Sequence, residues 1–215
     1  MYVAGAYLAA IVYFVFLVNY PDAPFTPQER WENQSGYSPA TIAAEIAGLV
    51  SAARIARRDG DTVSAGKYLA TADAWQKHVQ GWTATTNGPY SPRPYYLRLT
   101  KDGDPNAATA YNIGDSGPDH VDQRAVVDPS FLELVRLGIE PADDPVIRNT
   151  LAVVDAKLGV STPNGEFWHR YTFDGYGEQR DGALGRRFRG RQPDDDRARM
   201  ADLRRGARRV RAGGR

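Results

Sequence analysis

Pro27-Gln28-Glu29-Arg30-Trp31-Glu32-Asn33-Gln34-Ser35-Gly36-Tyr37-Ser38-Pro39 packs two acids, an Arg, a Trp, a Tyr and several amides and hydroxyls into a proline-bounded loop that runs straight into a helix start. Loops anchored on a rigid helix are common seats for chemistry, because the scaffold holds the geometry while the loop supplies reactive groups. Trp31 beside Glu32 admits two readings. An aromatic neighbour that excludes water would raise a carboxyl pKa and suit it to donating a proton near neutral pH. Alternatively, Glu29 and Glu32 are solvated loop acids and Trp31 plugs a core.

Ser38-Pro39 is a helix N-terminus, a capping hydroxyl followed by proline in the first helical position. Ile42, Ile46, Leu49, Val50 and Ala53 recur at helical spacing, Arg57 and Arg58 suit the C-terminal dipole, and Gly60 can end the helix. Glu45 is expected at the solvated edge of that apolar face. A second helix follows from about Asp61 to Val79, joined by a link short enough to force an antiparallel pair. Residues 87–117 are rich in Gly, Pro, Asn and Asp around a short strand at 95–99, too long for a plain connector. Asp128-Pro129 caps a helix expected to run to Gly138, and Asp144-Pro145 caps another ending at Gly159. Repeated α-hairpins of this kind make the chain all-α. Residues 161–182 form a second polar and aromatic cluster, from Asn164 through Trp168 and Arg170 to Glu178. Its rings and fixed hydrogen-bonding groups suit a sugar, and equally suit a surface loop packed on itself.

The 215 residues suit one domain, and with no Cys and three unpaired His neither a disulfide framework nor a metal site is expected, nor any cofactor. Residues 183–215 hold twelve Arg against four Asp, a net of +8, which leaves −7 on the rest given the chain's total of +1. Such a tail cannot bury enough apolar surface to fold alone. No nucleic-acid-reading motif accompanies it, so no specific nucleic-acid partner is expected. Residues 2–18 carry no charge and fit either a buried helix or a membrane anchor of minimal length.

Residues 28–32 and 36–50, the segment 127–138, and Arg170-Tyr171-Thr172-Phe173-Asp174-Gly175-Tyr176-Gly177-Glu178 resemble bacterial glucoamylases and glucodextranases of glycoside hydrolase family 15, in order from about Leu17 to Gly182. The resemblance implies a partial (α/α)6 barrel over 1–182, truncated at both ends, followed by the Arg-rich tail 183–215. It implies exo-hydrolysis of α-glucans from the non-reducing end with inversion; the sequence does not fix the compartment, with an extracellular or periplasmic setting favoured. Glu32 matches the general acid. Arg170 matches the Arg that binds the terminal glucose, Asp174 and Tyr176 fall in the same subsite loop, and Trp31 matches an aromatic of the pocket. Asn33 stands where some members carry a second acid that contacts substrate. Inversion needs a second carboxyl roughly 6.5–9.5 Å from the first to activate water. The family's base follows the Arg loop, and no such motif occurs in residues 183–215, so this chain alone is expected to be nearly inactive. Exposed barrel faces would favour self-association. The alternative expectation is a membrane-tethered, non-catalytic glucan-binding protein.

Overall fold

The structure, a computed structural model, describes residues 24–175. The uncharged run 2–18, Tyr176, the domain boundary at 182 and the Arg-rich tail lie outside the described residues.

Helix α1 spans Pro39–Arg58 and α2 spans Thr62–Thr83, packed as an antiparallel hairpin. Pro39 opens α1 as expected, but the Ser38 side chain makes no capping bond, whereas Asp61 caps α2 by accepting from the Ser64 amide. Ile42, Ile46 and Leu49 meet Ala72, Trp75 and Val79 across the hairpin. Two expectations for α1 fail. Val50 is exposed, while Glu45, one turn from both Ile42 and Leu49, is buried with them. The packed stripe is centred on 42, 46, 49 and 53, so it takes in position 45 and leaves out 50.

Between the helices and the C-terminal half the chain makes two small antiparallel ladders. β1 (Ala84–Thr85) pairs with β2 (Tyr95–Tyr96), and β3 (Ala110–Tyr111) pairs with β4 (Val121–Asp122). The stretch 128–138 was expected to be one helix. It is instead a 3-10 turn, Pro129–Leu132, followed by a single α-turn, α3, Glu133–Arg136. Asp128 accepts from the Ser130 amide only two residues on, which tightens the start, and Gly138 with φ +73 is the stop, as expected. Helix α4, Pro145–Leu158, is capped by Asp144 through the amides of Val146 and Ile147.

Past α4, the first part of the polar and aromatic cluster expected at 161–182 is a hairpin of β5 (Gly159–Thr162) and β6 (Gly165–Trp168). Phe167 and Trp168 are 53% and 50% exposed on it, and the Trp168 indole donates to Asp155 of α4. These two aromatics therefore belong to a surface arm.

The core is in two parts. The larger joins α1 and α2 to Tyr95, Tyr96, Phe131, Leu134, Ile147, Val154 and Leu158. The smaller gathers Leu99, Tyr111, Ile113, Val126 and Tyr171, with Trp31 and Val121 against its rim. The smaller cluster is the floor on which the loops described next are set.

Candidate active site

The loop between Thr26 and Tyr37 is closed by paired backbone bonds. Thr26 and Gly36 exchange both amide bonds at 2.9 Å, and Tyr37 bridges Thr100 in the same way. Gly36 sits at φ +152, and a Cβ there would lie 2.4 Å from the Thr100 carbonyl oxygen, so only glycine allows this approach. A tighter turn nests inside, with the Glu32 amide donating to the Glu29 carbonyl at 2.8 Å. Glu32 is at its tip, exposed, with φ +63.

Glu29, weighed from sequence as a solvated acid, is buried. Its Oε2 accepts from the Trp31 amide at 3.0 Å and its Oε1 pairs with Arg98 Nη2 at 2.7 Å. Arg98 is also buried, and the same Nη2 donates to Asn33 Oδ1. Its Nε and Nη1 have no hydrogen-bond partner among the described residues, but the guanidinium carbon lies 3.7 Å from the centre of the Tyr171 ring. A cation over an aromatic face recovers part of what burial costs it.

Trp31 is fixed by its indole N–H, which donates to Asp128 Oδ2 at 2.8 Å. Its ring lies 6.1 Å from that of Tyr171, with the Arg170 guanidinium 5.5 Å from its centre. Asp128 is buried and also accepts from the Ser130 hydroxyl at 2.5 Å. Burial nevertheless dominates and pushes its carboxyl up to about 6, against the opposing pull of Ser130, Trp31 and Arg98.

Arg170 reaches Asp174 with two bonds, Nε at 2.7 Å and Nη2 at 2.6 Å, the bidentate geometry that suits a guanidinium to a carboxylate. Those bonds hold its pKa well above the usual arginine value. Nη2 also donates to Asp115 Oδ2 at 3.1 Å. The same Asp115 oxygen accepts from the Tyr171 hydroxyl and from Asn33 Nδ2, both at 2.8 Å. Asn33 Nδ2 donates further to the Tyr171 hydroxyl at 3.0 Å.

Four of the five site residues expected within the described range thus meet in one network: Trp31, Asn33, Arg170 and Asp174. Glu32 sits between Trp31 and Asn33 but points into grooves lined by Gln28, Arg30, Asn33, Gln34 and the first turns of α1, on the open side of the loop. Tyr176 lies outside the described residues. Reasoning from sequence missed Arg98, Asp115 and the second role of Asp128. Arg98 carried a signal, a charge inside the apolar run Tyr95–Leu99, whereas Asp115 had none beyond a Gly-rich loop.

All four non-glycine residues with positive φ among the described residues, Glu32, Asp115, Ser116 and Phe173, lie on the three loops that converge here. Such conformations cost of order 1–3 kcal/mol each and cluster where geometry is imposed for function. Among the described residues no group of three or more His, Cys, Asp or Glu is placed to hold a metal ion.

Residues 19–189 match the sequence profile of the glycosyl hydrolases family 15. A glucoamylase of Clostridium sp. (strain G0005) is 53% identical over 155 residues, which are 72% of this chain and 22% of that protein. The crystal structure of a bacterial glucoamylase complexed with acarbose superimposes with a TM-score of 0.73 at 52% identity, over 77% of this chain and 24% of that one. The chain therefore spans about a quarter of the length of these relatives.

Proposed function

The chain belongs to glycosyl hydrolases family 15, and from that membership we propose that it is the acid-bearing part of an inverting, exo-acting α-glucosidase. Its substrate would be a terminal α-1,4 or α-1,6 glucosidic bond of a glucan, and its product β-glucose. Glu32 protonates the leaving oxygen. Arg170, held rigid by Asp174, binds hydroxyls of the terminal glucose, with Trp31 beside it and Tyr176 in the same loop. The α-hairpin of α1 and α2 belongs to an (α/α)6 barrel whose loop-bearing end carries the site.

The observation that carries this reading is the placement of Glu32. It is the strained, solvent-facing tip of a loop whose two flanking residues, Trp31 and Asn33, are both tied to the Arg170 network. A loop fixed in this way supports reading Glu32 as the proton donor, because a rigid mount holds an acid in one place. Because the water-activating carboxyl comes from elsewhere in this mechanism, the isolated chain should bind maltose but release almost no glucose. Loss of a general base removes about 10²–10⁴ in rate. Calorimetry with maltose on wild type and Arg170→Ala tests the binding half. Glucose release near the level of a full-length relative, abolished by Glu32→Gln, would show that the chain carries its own base. The membrane-tethered alternative rests on residues 2–18, outside the described residues, and no observation favours it.

A further inference from the structure

The side-chain amide of Asn33 is engaged at both ends. Its oxygen accepts from the buried cation Arg98, and its nitrogen donates to Asp115 and to the Tyr171 hydroxyl. The charges around it fix that orientation: the amide oxygen faces a guanidinium and the amide nitrogen faces a carboxylate. The nitrogen also reaches the Ile113 carbonyl at 3.4 Å, so four contacts use both amide protons and one lone pair. Asp115 in turn spends a single oxygen on Asn33, Tyr171 and Arg170.

We infer that Asn33 and Asp115 are a polarity-matched pair of positioning residues, locking the loop that carries Glu32 to the loop that carries Arg170, and that Asn33 serves the site through this bond rather than by touching the sugar. The inference deepens the glucosidase reading and rests on it for the identity of the ligand. A carboxylate at position 33 could still accept from Arg98, but it would face Asp115 oxygen to oxygen across 2.8 Å. Like charges at that distance cannot both stay ionised without cost. An acid at 33 therefore requires a donor at 115, and an amide at 33 requires an acceptor there.

That requirement gives an exchange test. Asn33→Asp, Asp115→Asn and the double exchange are made in the full chain, and each is measured for maltose affinity by calorimetry and for its urea unfolding midpoint. The exchange moves the negative charge across the pair and leaves the total unchanged. The new amide at 115 can donate from that position to the new carboxylate at 33 and to the Tyr171 hydroxyl; Arg170 then loses its bond to Asp115 and keeps its two bonds to Asp174. Asn33→Asp should lower maltose affinity about tenfold or more, the scale of one unsatisfied buried polar group. The double exchange should bind maltose within about threefold of Asp115→Asn alone, because the Asn33→Asp penalty disappears once the acid at 115 is gone, a coupling that independent sites do not show.

A double exchange no better than the product of the two single losses overturns the pairing. A double exchange that restores the urea midpoint yet binds maltose far more weakly than Asp115→Asn means that Asn33 touches the sugar, and overturns the positioning role. Should Asn33→Asp fail to fold, folding of the exchange supports the pair, and its failure while Asp115→Asn folds overturns it. If wild type binds no maltose, the glucosidase reading fails separately, and the urea midpoints alone decide the pairing.

Discussion

Arg98 stacks its guanidinium 3.7 Å from the centre of the Tyr171 ring, and neither residue touches solvent. One face of that contact leads through Glu29 and Asn33 to the loop bearing Glu32. The other leads through the Tyr171 hydroxyl to Asp115 and Arg170. Two loops far apart in sequence thereby share one rigid joint, set on the smaller apolar cluster.

Removing that joint should be costly. Arg98→Leu strands Glu29 as a buried carboxylate, and breaking a buried pair from one side costs about 3–5 kcal/mol. Glu29→Leu combined with Arg98→Leu strands neither charge and should recover a large part of the loss. Urea unfolding of the three variants checks this; a double variant as unstable as the sum of the singles would mean that the ion pair is not what Arg98 contributes.

Asp128 sets a pH dependence whose sign is opposite to that of an ordinary ion-paired acid. Its folded pKa is raised to about 6, whereas an unfolded Asp titrates near about 3.9. Between those values the folded protein binds a proton that the unfolded chain does not. The stability due to this group is thus greatest at the acidic end and falls as pH rises through about 6. Asp128→Asn keeps an acceptor for the Trp31 indole but cannot ionise, so the fall in urea midpoint across that window should flatten. An unchanged slope would assign it to another group.

Gly36→Ala should open the acid loop. The added methyl meets the Thr100 carbonyl at 2.4 Å and the Leu99 side chain at 2.9 Å, at a φ that L residues avoid. A loss above about 1 kcal/mol is expected, since strain adds to the clash. Faster exchange of the Tyr37 and Gly36 amides would locate the damage, and exchange at wild-type rates would show that the loop closes without them.

Glu32→Gly separates stability from chemistry. Relief of a left-handed non-glycine conformation, worth about 1–2 kcal/mol, is offset by roughly 0.5–1 kcal/mol of added chain entropy. The melting temperature should stay level or rise, while any release of glucose from maltose should vanish. A clear drop in melting temperature would show that the Glu32 side chain holds the loop together.

The helices were legible because their signals are local. Pro39, Asp61 and Asp144 mark starts, and Ile42, Ile46 and Leu49 repeat at helical spacing. The helix expected to Gly138 divides because its first four residues, Pro129–Leu132, take the tighter 3-10 form behind the Asp128 cap and leave Glu133–Arg136 as the α-turn, a choice that spacing alone does not reveal. At the site, Trp31, Asn33 and the loop of Arg170 were named from residue type and resemblance, and the structure brings them into one network. Asp115 could not, because its role exists only through partners at positions 33, 170 and 171. Glu29 was misjudged for the same reason: its burial depends on Arg98, which arrives from another segment.

The β5–β6 hairpin offers a practical handle. Its strands are paired with each other and their side chains face outward, with Asp155 the anchor for Trp168. Exposed tips with little packing are where inserted sequence is best tolerated. An epitope or a fluorophore spliced between Pro163 and Asn164 would therefore report on the chain from outside, while the buried joint and the loops it serves keep their native geometry.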